Sequence, residues 1–265
     1  MRDAFKQRIM LCLQEHRCCM MPERNEKLES LADELLSALK RQVAQIGEGQ
    51  CLLFSGGIDS SLLARLLPEE AKLCTVGLPG SYDIINSINS SRAIGRTNTV
   101  FEISVEEVIK ASSSLIQMFP GIMMSELGYE TVFYLGVQRS AERTIVTGQG
   151  ADELFFGYTR LRQHPEKFEE YLEKLTSRTA PREAQICSDL GKKLVTPYLG
   201  EEIVRISERM RHEFDAGEII NKAALRIAAK KAGIPDGVAE QAKKAAQYGS
   251  GIERILVRNY GKILH

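Results

Sequence analysis

Residues 50–67 read QCLLFSGGIDSSLLARLL, and this stretch decides the fold. The apolar run at 51–54 predicts a buried strand, the serine and two glycines after it predict a turn, and the amphipathic pattern from Asp59 predicts a helix. A strand, a glycine turn and a helix in this order direct backbone N–H groups and the positive end of the helix dipole toward an anion. The stretch therefore predicts a phosphate-binding loop.

The side chains of this loop indicate how it would bind the anion. Gly56 and Gly57 let the backbone approach a phosphate because no Cβ stands in the way. Asp59 would repel a bare phosphate, so we expect Mg²⁺ between its carboxylate and the phosphates. No lysine follows the glycines, so this is not the G-x-x-x-x-G-K-S/T loop. Three hydroxyl groups add hydrogen-bond donors: Ser55, Ser60 and Ser61.

The hexapeptide SGGIDS resembles the pyrophosphate-binding loop of the N-type ATP pyrophosphatases. This superfamily includes asparagine, β-lactam, GMP and NAD synthetases and some tRNA-modifying enzymes. The motif alone implies ATP but not a particular substrate. The alternative is an ordinary βα turn capped by Asp59, which has no need of two glycines, three serines and an acid together.

A second motif lies at residues 143–158, RTIVTGQGADELFFGY. A short strand is predicted at 144–147, glycines follow it, and Asp152 opens a helix. Parallel strands end at one edge of a sheet, so we expect Asp59 and Asp152 to face one triphosphate with Mg²⁺ between them. The stretch resembles the asparagine synthetase motif SGEGxDELFGGY, which narrows the resemblance to the asparagine and β-lactam synthetase branch.

One position departs from that motif. The residue after the Ser-Gly pair of asparagine synthetases is a glutamate proposed to help activate ammonia, and here it is Gln149. A glutamine side chain donates and accepts hydrogen bonds but takes up no proton. The resemblance therefore implies an intact adenylation half and an altered amide-forming half of the reaction.

Other segments resemble the family more loosely. A strand predicted at 72–78 would place Val76 and Gly77 beside the adenine or ribose, and residues 220–230 resemble a Lys-x-x-Leu-Arg helix through Lys222. Residues 242–252 resemble a late loop whose lysine faces the phosphates; this would be Lys243, with Lys244 the alternative and two solvent-facing lysines the simpler interpretation. The resemblance also assigns adenosine or phosphate contacts to four positions: Leu53, Ser55, Thr147 and Gly148.

Two further groups of residues have weaker functional interpretations. Residues 119–128 are predicted to be irregular, and by resemblance Ser125 and Glu126 are candidates for the acid-substrate pocket, although an exposed loop acid is the better interpretation of Glu126. A metal or sulfur site is conceivable where His16 lies among three cysteines, but buried thiols beside a surface histidine are favoured. These cysteines are Cys12, Cys18 and Cys19.

Composition bounds the class of protein. The 265 residues are 43% hydrophobic and 26% charged, and 35 basic residues balance 35 acidic ones, which argues against a nucleic-acid partner. No run reaches the roughly 18 apolar residues of a membrane span. The first residues carry charges unlike those of a signal peptide, and six cysteines without a CxxC pair indicate reduced thiols. We therefore predict a cytoplasmic protein without a membrane partner.

Alternating predicted strands and helices indicate an α/β fold. We expect a twisted parallel sheet with helices on both faces, similar to the adenine nucleotide alpha hydrolase fold, and a helical C-terminal part. The expected divisions are an N-terminal helical segment at 1–47, the ATP-binding core at 48–160 and the helical part at 161–265.

The resemblance implies an ATP-dependent amide-forming ligase with ATP and Mg²⁺ as cofactors. A carboxylate, with aspartate the first expectation, would attack the α-phosphate, pyrophosphate would leave, and an amine would displace AMP. Arg2 stands where a glutaminase cysteine would be expected, which implies free ammonia or a separate glutaminase subunit. A homodimer is an open alternative. The other functions left open are adenylation of another acid or of a tRNA base, and an ATP-binding regulator with impaired catalysis.

Overall fold

The computed structural model describes residues 25–214, 221–241 and 246–263. The predicted sites at Cys12, His16, Cys18 and Cys19 lie outside these residues, as do Lys243 and Lys244. Within the described ranges, no helix is long and apolar enough to cross a membrane.

A five-stranded parallel sheet forms the centre of the molecule, with strand order β3-β2-β1-β4-β5. The central strand, β1, pairs Leu52 with Leu73 on one side and with Val146 on the other. The predicted parallel sheet is therefore confirmed. The strands are β1 (Gln50–Leu53), β2 (Lys72–Gly77), β3 (Asn98–Glu102), β4 (Thr144–Val146) and β5 (Lys193–Val195).

Helices connect the strands and cover the sheet. Those before β4 are α1 (25–44), α2 (Ile58–Leu66), α3 (Tyr82–Ala93), α4 (Val105–Met118) and α5 (Met124–Arg139). Between β4 and β5 lie α6 (Ala151–Leu154), α7 (Thr159–Gln163), α8 (Phe168–Lys174), a π-helical segment (Leu175–Thr179) and α9 (Ala180–Asp189). After β5 come α10 (Glu201–Glu213), α11 (Ala223–Lys231), α12 (Asp236–Ala239), α13 (Ala246–Gly249), α14 (Ile252–Arg258) and α15 (Tyr260–Ile263).

The alternation of side chains along the strands divides the core in two. Leu52 and Val146 pack on the face covered by α1, α2, α10 and α11. Cys51 and Ile145 point the other way, toward α4, α5, α9 and α14. Helices therefore cover both faces, as predicted, because the strands of a parallel sheet are apolar on both sides.

Two parts of the fold differ from the prediction. Helix α5 begins at Met124, inside the stretch predicted to be irregular, and Gly128 is buried within it, so tertiary packing overrides the low helix propensity of glycine. Strand β5 is not predicted, because no glycine turn follows its three residues as one follows the equally short β4. It forms by pairing with β4, where Ile145 lies opposite Leu194.

Candidate active site

The loop after β1 has a conformation that requires glycine. Gly56 has φ +74°, and a Cβ there would lie 2.9 Å from the amide nitrogen of the Asn86 side chain and from the Ser87 backbone. Asn86 Nδ2 donates to the Ser55 carbonyl oxygen at 3.1 Å, and Ser90 Oγ donates to the Gly56 carbonyl oxygen at 2.8 Å. Helix α3 therefore holds the loop from behind.

The three hydroxyl groups of the loop differ in whether they reach the cavity. Ser55 Oγ lies 3.2 Å from Ser60 Oγ, and Ser60 Oγ also donates to the Gly57 carbonyl oxygen at 3.1 Å. Ser61 is fully buried, and its hydroxyl has no hydrogen-bond partner among the described residues. Ser55 and Ser60 thus line the cavity described below, whereas Ser61 does not.

The loop after β4 lies directly against the first loop, because β1 and β4 are neighbours in the sheet. A Cβ on Gly148 would lie 3.2 Å from the Cβ of Asp59, so a small residue is needed for this close approach. The two loops meet as the sequence predicts, and both Asp59 and Asp152 are nearly buried.

A lysine joins these two carboxylates. Lys222 Nζ donates to both carboxylate oxygens of Asp59, at 2.7 and 2.6 Å, and lies 2.7 Å from Oδ1 of Asp152. Its side chain is only 3% exposed. Burying two like charges together is costly, and a buried lysine between them offsets the repulsion. We call Asp59, Asp152 and Lys222 the ion-pair triad.

The backbone around the triad is strained and tightly packed. Lys222 has φ +54°, a left-handed conformation that non-glycine residues seldom adopt, and its N–H donates to the Phe155 carbonyl oxygen at 3.1 Å. A Cβ on Gly157 would lie 1.9 Å from Asp152 Oδ1 and 2.4 Å from the Lys222 side chain. Neither Lys222 nor Gly157 is among the sequence-predicted site residues, although Lys222 begins the Lys-x-x-Leu-Arg segment.

Carboxylate oxygens are the ligands that Mg²⁺ prefers, and the triad provides two carboxylates at one point. Among the described residues, no group of three or more His, Cys, Asp or Glu side chains could hold a metal ion. Mg²⁺ often uses one or two carboxylates and takes its remaining ligands from water and substrate phosphates. Asp59 and Asp152 could therefore hold Mg²⁺ together with nucleotide phosphates and water only if their carboxylates share or give up the contacts they now make with Lys222.

A cavity of about 600 Å³ opens beside the triad, at the carboxyl ends of β1, β2 and β4. The candidate residues on its wall are Leu53, Ser55, Asp59, Ser60, Val76, Thr147, Gly148, Gln149 and Asp152. Gly57 lines a smaller, adjoining cavity, together with Lys222 and Arg226. Gly56 and Gly77 line neither cavity. A Cβ on Gly77 would lie 2.6 Å from Ser81 Oγ, so packing alone explains this glycine.

The cavity continues to a wall formed by α5, the π segment and α9. Tyr158 OH donates to Glu153 Oε1 at 3.0 Å, and burial raises the pKa of Tyr129 to about 12. Glu183 belongs to this wall and is 5% exposed, yet its Oε2 accepts no hydrogen bond from any described residue. Burial, with the charges of Glu130 and Glu153, raises the pKa of Glu183 well above its usual value.

Behind this wall lies a buried ion-pair cluster. Arg182 donates to Glu126 at 3.0 Å and to Glu130 at 2.9 Å, and Lys174 lies 3.3 Å from Glu126. Burial acts to raise the pKa of Glu126, but Arg182 and Lys174 together outweigh it and the pKa is lowered. The interpretation of Glu126 as an exposed loop acid is therefore wrong, because the residue lies in α5 and is 1% exposed. Ser125 does line the cavity.

Comparison with known proteins relates this architecture to one family. The profile described as asparagine synthase matches residues 30–195. A putative glutamine-hydrolysing asparagine synthetase of Methanocaldococcus jannaschii is 28% identical over 252 residues, which cover 78% of this chain and 47% of that protein. For asparagine synthetase B of Escherichia coli the identity is 23% over 214 residues, covering 71% of this chain and 38% of that protein. The chain thus spans less than half the length of these relatives.

Among solved structures, the NMN synthetase of Francisella tularensis is similar over 89% of this chain and 95% of that chain. The sequences are 12% identical and the TM-score is 0.40.

Proposed function

Because the chain belongs to the asparagine synthase family, we propose that it is an ATP-dependent ligase that adenylates a carboxylate and transfers the acyl group to an amine. The observation that carries this proposal is the meeting of Asp59 and Asp152 on Lys222 beside the cavity. A triphosphate requires a compact, hydrogen-bonding and charge-compensated site, and these loops offer one.

The walls of the cavity suggest how the nucleotide lies. Leu53 and Val76, at the ends of β1 and β2, provide an apolar surface for the adenine. Ser55, Ser60 and the backbone after β1 face the phosphates, since α2 begins at Ile58 and directs its positive end there. Thr147 and Gly148 approach the nucleotide from the second loop.

The triad is proposed to serve the leaving pyrophosphate. Mg²⁺ held by Asp59 and Asp152 would neutralise charge on the phosphates when the nucleotide is bound. Lys222 holds the two carboxylates in place and supplies a positive charge within the same few ångströms. Lys243 is proposed to act on the α-phosphate, as the resemblance implies. The acid substrate attacks the α-phosphorus, and the bond to the bridging oxygen of pyrophosphate breaks.

The second step is aminolysis of the acyl-adenylate. Gln149 lines the cavity and can orient an amine by hydrogen bonding, but it cannot accept its proton. Aspartate is the proposed acid, and free ammonia or ammonia from a separate glutaminase subunit is the proposed nitrogen source. Both assignments rest on the family and not on a bound ligand.

The experiment that tests this proposal is exchange of labelled pyrophosphate into ATP over a panel of carboxylic acids. Exchange that requires aspartate supports the full proposal. Exchange that requires another acid supports the ligase activity but assigns it a different substrate. The panel also includes tRNA. Binding of ATP without exchange for any of these substrates would contradict the assignment as a ligase and support a nucleotide-binding regulator. Asp59→Asn, for which we expect a much lower rate of exchange, serves as the comparison variant.

A further inference from the structure

We propose that Glu183 binds a positively charged amino group of a substrate, on the wall of the cavity formed by α5, the π segment and α9. This inference rests on the proposed function, because it names the chemistry of a ligand in the same cavity. It concerns a residue that the sequence analysis does not single out.

The first support is an unsatisfied buried oxygen. Glu183 is 5% exposed, and its Oε2 accepts no hydrogen bond from any residue in the described ranges. Leaving a buried acceptor without a partner is costly, so native structures seldom retain one without a reason. Oε2 itself has almost no accessible surface, but the Glu183 side chain lines the cavity, so a cationic ligand there would lie beside a carboxyl group that is paired with no described residue.

The second support is how the chain places this residue. Glu183 lies in the first turn of α9, which continues directly from the π segment Leu175–Thr179. Pro181 has no N–H, so the regular α-helical hydrogen bond to residue 177 cannot form, and the widened turn is accommodated there. Such single π turns are frequent at functional sites. Leu175, Thr179 and Glu183 all contact the cavity.

The third support is the charge of the surroundings. Arg182 is the neighbour that could neutralise Glu183, but it donates to Glu126 and Glu130 instead. Lys174 is the one basic residue among the described residues of the cavity wall, and it is paired with Glu126 at 3.3 Å. Among the described residues, the wall therefore holds an acid with no base paired to it, and a cationic ligand would favour the ionised form of that acid.

The remaining walls indicate that the amino group is carried on an organic body. Tyr129, Tyr158 and Tyr171 line this part of the cavity. Aromatic rings attract a desolvated ammonium ion and also pack against carbon atoms. An ammonium ion on a carbon chain satisfies both features. It could be the amino group of the adenylated acid, as in an α-amino acid, or the amine nucleophile before it loses its proton.

The experiment compares wild type, Glu183→Gln and Glu130→Gln. Glu130 is the matched control, since it is a buried acid of the adjoining cluster that does not line the cavity. In the first arm, pyrophosphate exchange is measured with aspartate and with succinate, which lacks the amino group. In the second arm, amide formation is measured at rising concentrations of ammonium chloride and methylamine.

In one of the two arms, we expect Glu183→Gln to raise the half-saturating concentration of the probe that carries the amino group (aspartate, or the amine) by roughly 10- to 100-fold. This is the effect expected from the loss of one charge-assisted hydrogen bond. The values for ATP and succinate should not change. An effect in the first arm identifies the acid as the ligand, and an effect confined to the second arm identifies the amine. Glu183→Asp, which keeps the charge but shortens the side chain, should lie between wild type and Glu183→Gln.

The inference is overturned if wild type catalyses exchange but Glu183→Gln shifts neither arm more than Glu130→Gln does. Failure of the proposed function gives a different result, since wild type itself would then show no exchange with any acid. Circular dichroism of each variant establishes that it is folded. If Glu183→Gln does not fold, Glu183→Asp decides alone, and probe affinities equal to those of wild type would refute the inference.

Discussion

The two ends of the cavity solve the problem of buried charge in opposite ways. At the triad, Lys222 lies within 2.7 Å of both Asp59 and Asp152, so each charge has an opposite charge beside it. At the α5–α9 wall, Glu183 Oε2 lacks a donor from the described chain, while Arg182 is bonded elsewhere. The difference indicates that the first end is preorganised by the protein and that the second is completed by its ligand.

Removing the lysine from the triad should have the largest effect on stability. Lys222→Met leaves two buried carboxylates facing each other, and we expect the free energy of unfolding to fall by about 3–5 kcal/mol. Mg²⁺ should restore part of this loss, because it can replace the missing positive charge. Chemical denaturation with and without Mg²⁺ measures both effects.

Lys231→Met is the matched control for that variant. Lys231 ends the same helix, and its ion pairs with Glu29 and Asp33 lie at the surface, so the loss should stay below about 1 kcal/mol and be independent of Mg²⁺. Equal losses for the two lysine variants would show that the triad is not a special feature of the molecule.

Changing one carboxylate of the triad should affect chemistry more than folding. We expect Asp59→Asn and Asp152→Asn each to lower the rate of pyrophosphate exchange by about 10²- to 10³-fold, the usual effect of losing one electrostatic contact in a reacting site. Raising the Mg²⁺ concentration should recover part of the rate. Exchange at the wild-type rate in both variants would remove the triad from the mechanism.

The buried acids behind the α5–α9 wall should make the free energy of unfolding depend on pH. Burial raises the pKa of Glu130 from 4.5 to about 7, although Arg182 acts to lower it. The folded state therefore binds this proton more tightly than the unfolded state, and the contribution to stability is complete below pH 4.5 and lost as the pH rises through about 7. Over this window Glu130 should reduce the free energy of unfolding by at most about 3 kcal/mol.

Urea denaturation of wild type and Glu130→Gln at several pH values measures this contribution. The difference between the two proteins should change between pH 4.5 and pH 7, since glutamine does not titrate. A difference that is constant with pH would mean that Arg182 keeps Glu130 ionised throughout.

The smallest predicted effect concerns Gln149. Gln149→Glu changes the amide-forming step but none of the groups assigned to the phosphates, so pyrophosphate exchange should stay within about threefold of wild type, less than 1 kcal/mol. Amide formation from ammonium chloride should change by more than exchange does. An equal change in both rates would place Gln149 in the adenylation step, and the two ends of the cavity would then not have separate roles.

The sequence predicts the sheet and the meeting of the two loops because both depend on local pattern. Short apolar runs ending in glycine mark β1 and β4, and the parallel arrangement brings their ends together. The proximity of Asp59 and Asp152 follows from that arrangement alone, but the sequence analysis expects Mg²⁺ between them and does not predict the contact of both with Lys222.

The partners of these groups are not predictable in the same way, because they come from distant parts of the chain. Lys222 is 163 positions from Asp59, and Arg182 is 56 positions from Glu126. The sequence around Glu126 therefore resembles an exposed loop, although Glu126 is buried in the fold, where it pairs with Arg182. Glu183 gives no signal in the sequence, since its surroundings arise only when α5, the π segment and α9 pack together.

In the proposed reaction, the acid attacks the α-phosphate of a nucleotide held between the two loops. The most direct measurement is to label both carboxylate oxygens of the acid with ¹⁸O and to find the label by mass spectrometry after turnover with ATP and Mg²⁺. We expect one labelled oxygen in the phosphate of AMP, with unlabelled pyrophosphate released. Label in inorganic phosphate, with ADP as the other product, would contradict it.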